Sequence, residues 1–270
     1  MFFLLASRVG KARKAYGKKD IKETKKAHSK EAINKSIQHE ENSLGQGRYI
    51  KDYVYGALDG IVTTFAIVSG VMGASLAVSI VLILGFANLL ADGISMSVGN
   101  YLGTKSEMDF YKKERTRESW EVDNYPEGER EEIRAIYRKK GFKGKLLEDA
   151  VNVITSDKNL WVDEMMKDEL QLMKEEKSPA FAGVATFIAF VIAGFVPLIS
   201  YIITISIPGI AAFSFQIAII LTIITIFAVG SARSLIIEKK WYVAGLEMLV
   251  VGGLAAIAAY YIGFLLSGIA

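Results

Sequence analysis

Residues 53–102 read YVYGALDGIVTTFAIVSGVMGASLAVSIVLILGFANLLADGISMSVGNYL, and Asp59 and Asp92 are the only charged side chains among them. A bilayer core is crossed by about 20 apolar residues rising 1.5 Å each, so this stretch is long enough to cross twice. The break falls at Gly73-Ala74-Ser75, where small, turn-forming residues interrupt the apolar run. Two helices, Tyr53 to Gly73 and Leu76 to Leu102, are therefore predicted to form a tight membrane hairpin.

Outward from this hairpin the same pattern recurs once. Residues 179–270 carry only Arg233, Glu238, Lys239, Lys240 and Glu247 as charges, and they divide into spans Ala180 to Thr204, Gly209 to Ala232 and Trp241 to Ser267. Ser206-Ile207-Pro208-Gly209 supplies a turn, and Pro197 inside the third span frees a backbone carbonyl and should kink that helix. The expectation is an all-α, multi-pass membrane protein with five transmembrane helices. Its segments are 1–52, 53–102, 103–178 and 179–270, with the charge gathered in the first and third. That segregation explains how a chain that is 23% charged still has a mean hydropathy of +0.30.

Lysine and arginine collect in the N-terminal segment, in 103–178 and in the loop Arg233 to Lys240, whereas both hairpin turns are uncharged. The positive-inside rule puts these three segments in the cytoplasm and the C-terminus on the opposite side. From Arg8 to Arg48 there are 12 Lys/Arg against 5 Asp/Glu with poor apolar periodicity, which predicts a basic helix or tether lying against anionic lipid. Met1 to Leu5 is too short for the apolar region of a signal peptide.

In 103–178 a first helix should continue out of the second span to about Val122, and Pro126 suits the start of a second, Glu127 to Lys140, that stops at Gly141. A third fills Lys145 to Ile154. Ser156 or Asp157 caps a fourth that carries Leu160, Trp161, Met165, Leu170 and Leu172 towards the third span.

Several function classes are excluded by composition. There is no cysteine, so a thiol nucleophile, a disulfide scaffold and a Cys-based zinc or iron–sulfur site are absent. A net charge of +3 gives nucleic-acid binding no electrostatic support. Neither G-x-x-x-x-G-K-[ST] nor G-x-G-x-x-G occurs, so no ATP-driven engine is visible. His28 and His39 are the only histidines, both in the basic tract and expected to be solvated, and neither follows a glutamate at the spacing of a diiron oxidase. The chain is read as a non-enzyme without a prosthetic group.

Ionisable groups inside a span are costly and usually face a cavity or a partner, which marks Asp59 and Asp92 as functional candidates. Asn88, Asp92 and Met96 recur at i, i+4, i+8 and form one polar stripe ending in a thioether. In 103–178, Glu118 with Glu121, Glu129 with Glu132, and Met165 with Glu169 are each spaced to present two ligands from one helix face. A solvated charge pattern gives the same spacing, so spacing alone leaves both readings open. Gly56 with Gly60 and Gly99 with Gly103 suit close helix packing.

Three stretches carry a resemblance. Asp59-Gly60-Ile61-Val62-Thr63-Thr64-Phe65-Ala66, Gly93 to Leu102 with Lys105-Ser106-Glu107, and Trp161 to Leu170 resemble the vacuolar iron transporter family of proton-coupled divalent-metal transporters. The likeness covers about residues 50–268, with nothing comparable over residues 1–49. It implies a homodimer with the path at the subunit interface and an exchange of Fe2+ for protons. By motif position it puts Asp59 and Met96 in the path and makes Glu118, Glu121, Glu129, Glu132, Met165 and Glu169 cytoplasmic ligands. The family pattern has a glutamate where this chain has Asn88 and a small residue where it has Asp92, so Asp92, one turn along the same face, is expected to supply the displaced charge. Carboxylates with thioethers suit Fe2+ or Mn2+ better than Mg2+, with Zn2+ or Co2+ as surrogates. The glycines Gly56, Gly60, Gly70, Gly93 and Gly99 are expected to let the first two spans approach a second copy. A membrane-anchored metal buffer or sensor is the competing reading, and it leaves Asp59 and Asp92 without a use.

Overall fold

A computed structural model describes residues 8–37, 48–174, 177–237 and 239–268. His39 and Met1 to Leu5 lie outside the described residues. Among the described residues all regular structure is helical: α1 (Arg8–Gly17), α2 (Ile21–Ala27), α3 (Lys30–Ile37), α4 (Ile50–Gly73), α5 (Val78–Asn124), α6 (Pro126–Lys139), α7 (Gly144–Thr155), α8 (Lys158–Glu164), α9 (Pro179–Ser206), α10 (Ser214–Ile237) and α11 (Trp241–Leu266). Five of them, with the spans falling in α4, α5, α9, α10 and α11, are long and apolar enough to cross a membrane. The chain divides into two compact units, residues 1–100 with 181–270 and residues 101–180.

In the first unit the basic tract forms three short helices instead of one. Asp20 breaks it: its Oδ1 accepts from the backbone N–H groups of Lys22 (2.9 Å) and Glu23 (3.1 Å) and so caps α2. Ala15 and Ala27 are buried there, and His28 is exposed. The α4–α5 hairpin closes through Ser75, which takes a left-handed φ of 58° while the Ser75 and Leu76 N–H groups donate to Met72 and Val71. α4 is the central span, packed on α10 and α11. It also meets α9, where a β-carbon on Gly56 or Gly60 would overlap the carbonyl oxygen of Thr186 or Phe190. α9 continues through the buried Pro197, and the Ser200 hydroxyl donates to the Pro197 carbonyl at 3.4 Å. Before α10 the chain makes a 3-10 turn, Pro208–Phe213.

The second unit is built around Val122, Ile133, Leu147, Val151, Trp161, Val162, Met165 and Met166, one apolar side from each of its helices. Pro126 occupies the first turn of α6. Gly141 follows its end at φ 100°, a conformation open to glycine, with its N–H donating to Arg138. Asp157 is the cap of α8 and accepts from Leu160 N–H at 3.0 Å. The fourth helix does not run on to the third span. It widens into a π-helical turn, Met165–Glu169, and ends where Gln171 takes a φ of 54°.

Candidate metal centres

Within the spans, Asp59 of α4 is half-buried beside the Gly60 contact with α9, and its carboxylate is close enough to that of Asp92 on α5 for the two to interact electrostatically. The Thr63 hydroxyl donates to the Asp59 carbonyl at 2.8 Å, leaving the Asp59 side chain to other partners. Asn88, Asp92 and Met96 are each half-buried along one side of α5, and the Asn88 amide nitrogen is buried with no hydrogen-bond acceptor. Next to this stripe Ala87, Ala91, Ser95 and Gly99 repeat every fourth residue and are all exposed.

The glycines divide differently from the sequence expectation. Gly56 and Gly60 are used against α9, Gly93 against the rings of Phe187 and Phe190, and Gly70 against α11, where Gly263 seats on its carbonyl. Gly99 and Gly103 alone of those named have nothing within 4 Å of a built β-carbon. Close packing thus consumes most of them inside one protomer.

Sequence reasoning missed a third carboxylate. Asp52 falls in the 1–52 segment, ahead of the predicted first span, yet it lies in the first turn of α4 and is 4% exposed. Asn100 Nδ2 donates to Asp52 Oδ1 (3.1 Å), to Thr186 Oγ1 (2.7 Å) and to the Ala182 carbonyl (3.2 Å), tying α4, α5 and α9 together. Its spacing of seven from Asp59, two helical turns, was the available signal.

In the second unit, Glu118 and Glu121 on α5 and Glu129 on α6 each offer a carboxylate oxygen, all within 4.8 Å of one another. The breaker Asn124-Tyr125-Pro126 produces this meeting by folding α6 back beside the end of α5. Glu118 is 1% exposed and Glu129 6%, and one oxygen of each, Oε2, is buried without a hydrogen-bond partner. A cluster of exposed acids would not show that. Glu132 reaches the same group, where its charge repels Glu118, Glu129 and Glu169. Desolvation, then repulsion from Glu132 and Glu118, pushes the Glu129 carboxyl up to about 7. Desolvation followed by the same two neighbours pushes Glu169, at the exposed end of the π-helical turn, up to about 7 as well. Glu118 is raised chiefly by desolvation, against a lowering from Arg117. Met165 opens the π-helical turn and is fully buried, packed within the apolar core. Oxygen-rich and partly desolvated, the cluster can exchange protons for a divalent cation.

The VIT family model matches residues 50–264 of this chain. A "Vacuolar iron transporter" of Toxoplasma gondii is 38% identical over 264 residues, 95% of this chain and 87% of that protein. The "Vacuolar iron transporter" of Plasmodium falciparum is 32% identical over 269 residues, 97% of this chain and 98% of that protein. "Vacuolar iron transporter 1" of Arabidopsis thaliana is 33% identical over 223 residues, 82% of this chain and 88% of that protein. A match over 97% of the chain has to include most of the tract before residue 50, so that tract has a counterpart in some relatives, contrary to the sequence expectation. With the five candidate spans and a family match from the first of them to the last, the chain belongs to the VIT family.

Proposed function

We propose that this membrane protein is a secondary transporter that moves Fe2+, with Mn2+ as a second substrate, out of the cytoplasm in exchange for protons. The observation that carries the reading is the pair Asp59 and Asp92, two carboxylates on neighbouring spans close enough to repel. An anchor for a metal buffer has no use for such a pair, because burying ionisable groups in a bilayer costs a few kcal/mol each. A path for a divalent cation needs it, and the same carboxylates take up protons when the metal leaves.

In this reading Asp59, Asn88, Asp92 and Met96 line the path, and the cytoplasmic unit captures metal through Glu118, Glu121, Glu129, Glu132, Glu169 and Met165. The names of the relatives support iron as the cargo. The set lacks cysteine and histidine ligands, so it holds the ion loosely enough to pass it on. The transporter works as a homodimer. Two spans of one chain cannot surround an ion that replaces about six waters, and the exposed small-residue face of α5 supports close approach of a second copy. The N-terminal helices and the Glu-rich unit are cytoplasmic, the C-terminus lies on the opposite side, and the basic helices rest on anionic lipid.

The test is metal flux into proteoliposomes with an imposed pH gradient. Fe2+ uptake that follows the proton gradient and vanishes when it is collapsed is the expected result. Metal binding without gradient-driven flux would favour the buffer reading.

A further inference from the structure

The acidic cluster of the second unit already contains a cation. Arg117, on α5 between the ligand candidates, places Nη2 2.5 Å from Glu118 Oε1, Nη1 2.5 Å from Glu121 Oε2 and Nε 2.9 Å from Glu114 Oε2. Its side chain is 42% exposed, so it has room to leave. Glu114 has no place in the ligand set, and its side chain is 15% exposed.

The guanidinium does not do what a metal ion would. It is planar and singly charged, and all three of its acceptors lie on its own helix. Across the gap, Glu129 Oε2 on α6 is left buried without a partner, as is the second oxygen of Glu118. A spherical dication placed among Glu118, Glu121 and Glu129 would serve both helices at once. It cannot share Glu118 and Glu121 with the guanidinium, because both cations would then sit within a few ångströms of each other in a partly desolvated site.

We infer that Arg117 is a built-in competitor for the metal: it holds Glu118 and Glu121 in the metal-free protein and is displaced onto Glu114 by the incoming ion, which sets the affinity of the cluster. This rests on the capture reading given above and adds to it a residue that is not a ligand. The arrangement spares the metal-free unit the full repulsion of its carboxylates, and it keeps binding weak enough for release.

The experiment is Mn2+ binding to the full-length protein in detergent, followed by loss of the free-ion signal in electron paramagnetic resonance. Wild type is compared with Arg117→Gln, Arg117→Lys, Glu114→Gln and the double variant Glu118→Gln/Glu129→Gln. Arg117→Gln should bind the same number of ions about 10-fold more tightly, and Arg117→Lys should fall between it and the wild type. Glu114→Gln removes the resting place of the displaced arginine and should weaken binding by several-fold. That variant keeps the test alive if Arg117→Gln misfolds. Unchanged or weaker binding in a folded Arg117→Gln protein overturns the inference, as does tighter binding in Glu114→Gln. Failure of the capture reading has a different signature: the double variant would then bind as many ions as the wild type.

Discussion

Gly60 and Phe190 meet backbone to backbone, so that a β-carbon on Gly60 would overlap the Phe190 carbonyl oxygen. The obstacle is main chain, which cannot rotate away. Gly60→Ala should therefore force α4 and α9 apart, cost about 1–3 kcal/mol or more, and displace the neighbouring Asp59. Thermal unfolding in detergent should show the loss, and flux should fall with it. Gly99→Ala is the contrast: the built β-carbon meets nothing within 4 Å, so the protomer should fold normally and only self-association should weaken. A Gly60→Ala protein as stable as wild type would contradict the close approach.

Asp59→Asn should stop metal flux while leaving the protein folded. The amide keeps the volume of the side chain and loses both the charge for the metal and the site for the proton. Asp92→Asn tests the second carboxylate of the pair. A fall in flux of about 10-fold or more is expected, because Asn88 cannot supply a charge in its place. Undiminished flux in Asp92→Asn would mean that Asp59 alone suffices.

Glu129 is held against its own ionisation, by burial first and by Glu132 and Glu118 after it. Removing the charge should therefore help the metal-free fold as it harms binding. Glu129→Gln should raise the melting temperature of the metal-free protein by a few degrees at pH 8 and remove the stabilisation that added Mn2+ gives to the wild type. Differential scanning calorimetry with and without metal reads both effects. A variant that loses stability and keeps the metal response would show that the carboxylate is structural.

The sign of the pH dependence follows from the same groups. Glu129 and Glu169 stand at about 7 against an ordinary 4.5, so the folded, metal-free protein holds protons that the unfolded chain has already lost between those values. Their contribution to stability is complete below about pH 4.5 and is lost as pH rises to 7. Metal-free protein should thus become less stable over that window, while metal binding strengthens, since the ion must expel those protons. Titration calorimetry in buffers of different ionisation enthalpy should find net proton release near pH 6.5, shrinking by pH 8.5.

Much of this was readable in the residues, for local reasons. Charge depletion marked the spans, Pro126 marked the start of α6, Gly141 marked its end and Asp157 capped α8, each because one residue type satisfies one backbone demand. The spacing of Glu118, Glu121 and Glu129 was legible as well, but their meeting across α5 and α6 was not, since it depends on how a breaker folds two helices together. The burial of Asp52 was hidden because Asn100, which donates to its carboxylate, lies 48 residues away on another helix. Gly56 and Gly60 announced a close contact without naming the helix that makes it, and that helix is α9 of the same chain. Nor does helical periodicity signal an early stop: the left-handed Gln171 ends the fourth helix before the apolar pattern does.

The bare face of α5, with Ala87, Ala91, Ser95 and Gly99 all uncovered, also bears on inheritance. If two copies close over it and share one path, a subunit with a defective Asp59 does not merely fail. It captures a sound partner. In a cell making both forms equally, random pairing leaves only about a quarter of the dimers fully intact. A path variant that still folds should then act dominantly, whereas a variant such as Gly60→Ala that spoils the protomer's own packing should be recessive.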